Sequence, residues 1–202
     1  MAPTNVAKLL AVQFLLYALP SQAQTASPET KGFTIEYQGM QSRGSSLPTA
    51  GDWVAQRKYN ERGLALRWEL ANHWFVEGRG SRGSHLRYLL ATEEDADGDQ
   101  QYDESEGSTT AYSVGAGKRL SINRYFSVLP SVSYFYREIR TPELYSDFDS
   151  RRFAASKTRE HSVGAGIKAE YRVIERWSVS LNFTLLSSGE RQQGLGIAYY
   201  FN

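Results

Sequence analysis

Apolar and polar residues alternate with period two through most of this chain. At its end, Leu195, Ile197, Tyr199 and Phe201 share one face of an extended segment, with Gly194, Gly196, Ala198 and Tyr200 on the other, because successive strand side chains point to opposite faces. The rhythm recurs upstream. Trp177, Val179, Leu181, Phe183 and Leu185 alternate with Ser178, Ser180, Asn182 and Thr184, and Val163, Ala165, Ile167, Ala169, Tyr171 and Val173 alternate with Ser162, Gly164, Gly166, Lys168, Glu170 and Arg172. Val128, Pro130, Val132, Tyr134 and Tyr136 form a further set, Leu64, Leu66, Trp68 and Leu70 another, and Phe33, Ile35 and Tyr37 open the series. With two less regular segments near 75–91 and 109–122, the pattern predicts about eight strands.

The connections carry a second rhythm. Three are very short and alike: Asn72-His73-Trp74-Phe75, Asn123-Arg124-Tyr125-Phe126 and Glu175-Arg176-Trp177. Those near 41–60, 92–108 and 141–157 are long and polar, and only the one at 187–191 on that side is brief. Short turns at one end and mostly long loops at the other describe an antiparallel up-and-down meander. Ser-Val-Gly-Ala-Gly occurs at 113–117 and again at 162–166, so two hairpins share a first strand.

Such a meander closes either as a soluble lipocalin-like barrel with an apolar interior or as a transmembrane barrel with an apolar exterior. Alternation is symmetrical between the two, but the polar face is not neutral evidence: Gly, Ser and Ala dominate it, as a narrow closed lumen requires. The charges placed on that face, Glu36, Arg67, Glu69, Glu77, Arg79, Arg137, Lys168, Glu170 and Arg172, include both signs, so they can pair in a low-dielectric interior. Aromatic residues beside the short turns, Trp74, Phe75, Tyr125, Phe126 and Trp177, then read as a membrane-interface belt. The expected fold is an all-β, eight-stranded antiparallel up-and-down transmembrane β-barrel spanning 31–202. It follows a signal peptide at 1–23, with the apolar run Leu9 to Leu19 and small residues at Ser21 and Ala23, and a short segment at 24–30.

The signal peptide, the eight alternating segments and the aromatic final strand resemble the small bacterial outer-membrane barrels of the OmpA-transmembrane and OmpX/Ail type. In that family, aromatic and apolar residues at alternate positions of the last strand are read by the outer-membrane assembly machinery; Ile197, Tyr199 and Phe201 match, with Asn202 following the Phe. The resemblance implies a Gram-negative outer-membrane location, both termini in the periplasm, long loops outside the cell, and contact with outer-membrane lipid and lipopolysaccharide. It also implies a monomer with a structural or cell-surface interaction role; with the chain ending at Asn202, a peptidoglycan-anchoring module is not expected.

Composition narrows the chemistry further. The absence of cysteine excludes disulfides, thiolate metal sites and a cysteine nucleophile. Lys and Arg number 23 against 22 Asp and Glu, which leaves no basic surplus of the kind nucleic acid demands. Asp95, Asp97, Asp99, Asp103 and Glu106 match five positions of a twelve-residue calcium loop, but Gln100 stands where that loop needs glycine and strands flank it. A solvated acidic loop is the first reading and calcium the second; no other cofactor is expected. Two adjacent pairs, Ser84-His85 and His161-Ser162, are the residues to weigh for a lipid A-modifying enzyme, yet neither has the His-x-Ser spacing of the deacylases, and no catalytic residue is assigned. A narrow channel is the other functional alternative, and a soluble periplasmic binder the structural one.

Overall fold

The computed structural model describes residues 32–44, 47–48, 53–94, 100–142, 144–145, 152–153 and 155–201. The signal peptide read at 1–23 and the segment at 24–30 lie outside the described residues. Eight long strands form the body: β1 Phe33–Arg43, β2 Trp53–Glu69, β3 Trp74–Glu94, β4 Gln100–Lys118, β5 Phe126–Thr141, β6 Ser156–Ile174, β7 Trp177–Leu186 and β8 Arg191–Phe201. Each pairs antiparallel with its neighbour in sequence, and β1 closes the cylinder on β8. The closing register runs from Phe33 opposite Phe201 to Arg43 opposite Arg191, while the other edge of β1 pairs with β2 from Phe33 opposite Trp68 to Arg43 opposite Lys58. Closure leaves no strand edge, the condition for β-structure in lipid.

Local chemistry explains the tight ends. The turn between β2 and β3 places Asn72 and His73 at φ 58° and 64°, in the left-handed region that Asn tolerates best among residues with a side chain. Gly189, at φ 85°, makes the equally tight β7–β8 connection. The β4–β5 ladder skips from Gly117 opposite Ser131 to Leu120 opposite Val128. Pro130 lies in that gap and has no N–H to give; the Arg119 N–H instead donates to the His73 carbonyl at 2.8 Å.

The two faces of the wall differ sharply. Leu195 is 67% exposed, and Leu64, Leu66, Trp68, Val114, Val163, Ile167, Leu181 and Ile197 are likewise exposed on the outside. Ala198, on the opposite face, is 0% exposed, and Thr34, Glu36, Gln38, Arg67, Glu170 and Ser178 are buried inside with it. An apolar band of this extent around the whole circumference is suited to hydrocarbon rather than water. The soluble lipocalin-like alternative is overturned, since the interior holds charges and the apolar face looks outward.

Strand lengths make the rim uneven. A tilted strand needs about 9–11 residues to cross the hydrocarbon; β1, β7 and β8 have 11, 10 and 11, whereas β3, β4 and β6 have 21, 19 and 19. The barrel is therefore a cylinder with a low wall at β7–β8–β1 and a high wall opposite.

Candidate functional site

Small residues leave the lumen its room. At Gly196 an added Cβ would run into the side chains of Glu36 and Ser180, and at Gly117 into the Phe75 ring. The space so kept is filled by charged and polar side chains in two clusters.

Nearer the short turns, a closed ring forms. Arg67 donates from Nε to Glu69 Oε1 at 3.1 Å and from Nη2 to Glu170 Oε2 at 2.7 Å. Arg119 donates from Nη2 to the same Glu69 oxygen at 2.7 Å and from Nη1 to Glu170 Oε1 at 2.7 Å. The Tyr200 hydroxyl hydrogen-bonds Glu170, and its ring carries the guanidinium of Arg172 at 4.8 Å and of Arg119 at 5.7 Å. Beside the ring, Lys168 Nζ bridges Glu36 at 2.6 Å and Glu77 at 2.7 Å, and the Ser180 hydroxyl donates to Glu36.

Nearer the loops, one cation serves two carboxylates. Arg137 donates from Nε to Glu61 at 2.9 Å and from Nη1 to both oxygens of Glu190, at 2.9 and 2.7 Å. Its guanidinium stacks 4.1 Å over the Tyr59 ring. The Ser81 and Thr109 hydroxyls also donate to Glu61, each at 3.2 Å, and His85 Nε2 lies 3.1 Å from the Thr141 hydroxyl. Between the clusters Arg79 packs its guanidinium 5.0 Å over the Phe135 ring and lies 2.9 Å from the Met40 sulfur.

All nine charged residues read from the alternation face the lumen. Those that sequence reasoning missed are Glu61, Arg119 and Glu190. Glu61 continues the inward series Ala65, Arg67, Glu69, but its outward neighbours Asn60 and Arg62 are polar, so the alternation vanishes there. Arg119 and Glu190 lie beyond the strand ends, where no periodicity applies.

The aromatic belt needs one correction. Trp74, Tyr125 and Trp177 are exposed at the short-turn end and Phe126 is half-buried there, but Phe75 is 3% exposed and lies in the lumen, 5.8 Å from the Arg67 guanidinium. It follows Trp74 directly, so the two cannot share a face. On β8, Ile197, Tyr199 and Phe201 all point outward; Phe201 stacks on Phe33 across the seam with ring centroids 4.4 Å apart, and Trp177 meets Tyr199 edge-on at 5.0 Å.

The Ser–His pairs come apart for the same reason. His85 is buried in the lumen while its neighbour Ser84 points outward; His161 points outward, its Nδ1 2.5 Å from the Tyr134 hydroxyl, while Ser162 points inward. Adjacent strand residues cannot form a nucleophile–base dyad. Of the candidate calcium ligands, Asp95, Asp97 and Asp99 lie outside the described residues, as does the side chain of Asp103; Glu106 is exposed on the outer face of β4. Among the described residues no cluster of His and carboxylates is arranged to hold a metal.

No protein-family model matches the chain, and no curated protein matches it in sequence. Solved structures match in fold. The attachment invasion locus protein Ail of Yersinia pestis, in complex with the heparin analogue sucrose octasulfate, aligns over 85% of this chain and 100% of its own, with 19% identity and a TM-score of 0.51. Neisserial surface protein A aligns over 84% and 97%, with 9% identity and a TM-score of 0.52. The chain has the fold of these small outer-membrane barrels.

Proposed function

We propose that this protein is a monomeric outer-membrane β-barrel of a Gram-negative cell, exported by the segment at 1–23, with a structural or interactive role at the cell surface and no catalysis. The observation that carries this reading is the pairing of an apolar, lipid-suited exterior with a lumen closed by ion-paired side chains. Arg67, Arg119, Arg137 and Lys168 with their carboxylates serve stability rather than conduction, since each of these cations is ion-paired to at least two lumen carboxylates. Ile197, Tyr199 and Phe201 act as the last-strand signal for the assembly machinery. The short-turn end, where Phe33 and Phe201 meet, faces the periplasm, and the high-walled end meets lipopolysaccharide and extracellular partners.

The test is fractionation followed by gel migration. Expressed as the full chain in a Gram-negative host, the protein is expected in the outer-membrane fraction and to migrate differently with and without boiling. Recovery from the soluble periplasm, or migration indifferent to heat, would overturn the reading. Conductance in planar bilayers above that of the empty bilayer would replace the structural role with a channel.

A further inference from the structure

Outside the barrel, at the loop end, cations stand directly opposite cations. Arg43 on β1 is in register with Arg191 on β8 and with Lys58 on β2, and Arg62 on β2 is in register with Arg82 on β3. All five side chains are exposed on the outer face. Directly opposed like charges destabilise a sheet, and register-opposed Cβ atoms lie only about 4.5–5.5 Å apart. Among the described residues no carboxylate pairs with Arg43, Arg62, Arg82 or Arg191. The nearest outward carboxylate in register is Glu106, which lies opposite Leu86, the residue that faces Lys58.

The opposite wall handles the same charges differently. There Arg140, Lys157 and Arg159 converge on Glu138, with contacts of 2.9, 3.1 and 3.9 Å, so that patch is partly neutralised from within. Among the described residues, Arg43 and Arg191 on β1 and β8 and Arg62 and Arg82 on β2 and β3 have no such carboxylate beside them.

Height places them. From Phe33 to Arg43 the chain takes ten steps, which at about 3.3 Å each and a tilt of about 40° rise about 25 Å, the height of the apolar band. Arg43 and Arg191 thus stand at the boundary where headgroups begin, not on loop tips. Arg62 and Arg82 lie eight residues from Leu70 and Trp74, about 20 Å up by the same geometry, and a guanidinium on three methylenes reaches the boundary from there. Below Arg62 the wall is apolar, with Leu64 beneath it and Leu195 across β1. Gly39, in register with both Arg62 and Leu195, leaves open space on the outer face.

We infer that the outer face of β8–β1–β2–β3 at the loop end is a binding surface for the phosphate groups of lipid headgroups in the adjoining leaflet, Arg43, Arg62, Arg82 and Arg191 being the phosphate ligands. The inference rests on the transmembrane reading above. A guanidinium suits it because its fork of donors matches phosphate oxygens, and phosphate removes the repulsion that the register builds in.

The experiment uses the full chain folded in detergent micelles, with lipid A as the probe and native mass spectrometry as the readout. Replacing Arg43, Arg62, Arg82 and Arg191 together by Gln is expected to lower lipid A retention at least about tenfold, and dephosphorylated lipid A is expected to be retained as poorly by the parent. The control Arg140→Gln with Arg159→Gln, on the opposite wall, is expected to retain lipid A as the parent does. Equal retention by the fourfold variant, or an equal loss in the control, overturns the inference. So does unchanged lipid A retention with lost binding of a heparin fragment, which would assign the patch to a sulfated saccharide. Heat-dependent gel migration is recorded for every variant: its loss in the parent would sink the transmembrane reading itself, a failure separable from loss of phosphate selectivity. Should only the fourfold variant fail to fold, the double variants Arg43→Gln/Arg191→Gln and Arg62→Gln/Arg82→Gln decide the matter by the same criterion.

Discussion

The two lumen clusters solve the problem of a buried charge in different ways. At the short-turn end, Arg67 and Arg119 each contact both Glu69 and Glu170, so every carboxylate in the ring has two cations and every cation two carboxylates. At the loop end Arg137 alone serves Glu61 and Glu190. Redundancy therefore protects the ring and not the loop-end cluster. Burial without a partner is costly at both ends, but only at the loop end does a single substitution leave two buried carboxylates with no paired cation.

Among single substitutions the largest effect should come from Arg137→Ala. Removing one partner of a buried pair costs about 3–5 kcal/mol, because the charge left behind is uncompensated. The residual donors to Glu61, Ser81 and Thr109, are neutral hydroxyls and replace little of this. Urea unfolding of the barrel from phospholipid vesicles, followed by the heat-dependent gel shift, measures it. In the ring, Arg119→Ala should cost less, about 1.5–3 kcal/mol, since Arg67 still holds both carboxylates. A cost for Arg119→Ala equal to that of Arg137→Ala would erase the distinction between the clusters.

The ring makes a sharper prediction in combination. Arg67→Ala with Arg119→Ala should cost more than the two single changes added, by about 1–3 kcal/mol, because the second deletion removes the cation that covered for the first. Additive costs would mean that each arginine acts through its own contacts, such as the Phe75 and Tyr200 rings, and not through shared carboxylates. Conversely, replacing the whole loop-end cluster by apolar residues of similar size, Arg137→Met with Glu61→Leu and Glu190→Leu, should recover most of the Arg137→Ala loss, since an intact buried ion cluster is often no more stable than packed hydrocarbon.

The same contrast explains what could be read from the chain and what could not. The ring sits at the level where lipid demands apolar side chains outside, so Arg67 and Glu69 stand out between Leu66, Trp68 and Leu70, and Lys168 and Glu170 between Ile167, Ala169 and Tyr171. Strand number, closure and most of the lumen were legible for that reason. At the loop end both faces of the wall meet polar surroundings, period two carries no hydrophobic signal, and Glu61 is hidden between Asn60 and Arg62. Arg119 and Glu190 reach the lumen from beyond the strand ends, and Phe75 lies beside a short turn like the belt residues although the alternation puts it on the face opposite Trp74. The outward cation register, Arg43 with Arg191 and Arg62 with Arg82, depends on pairing between strands, which no single-strand pattern contains.

Glu138 supplies the smallest effect and the limiting case of the comparison. Where Glu61 and Glu190 share one guanidinium, Glu138 gathers three cations, Arg140, Lys157 and Arg159, and it does so on the outer face of the high wall, in water. Hydrogen bonds from Arg140 and Lys157 hold its carboxyl below the ordinary carboxylate range. A carboxyl depressed in the folded state lends stability that is present above its unfolded value, 4.5, and is lost as pH falls through the lower folded value. Glu138→Gln should therefore leave the urea midpoint at neutral pH within error of the parent, with any difference confined to low salt and vanishing as pH drops below that range, because exposed pairs are screened and hold two long side chains at an entropic cost. A loss comparable to that of Arg137→Ala would show that the surface of the high wall is as dry as the lumen, and the distinction between inside and outside charge on which the two clusters rest would fail.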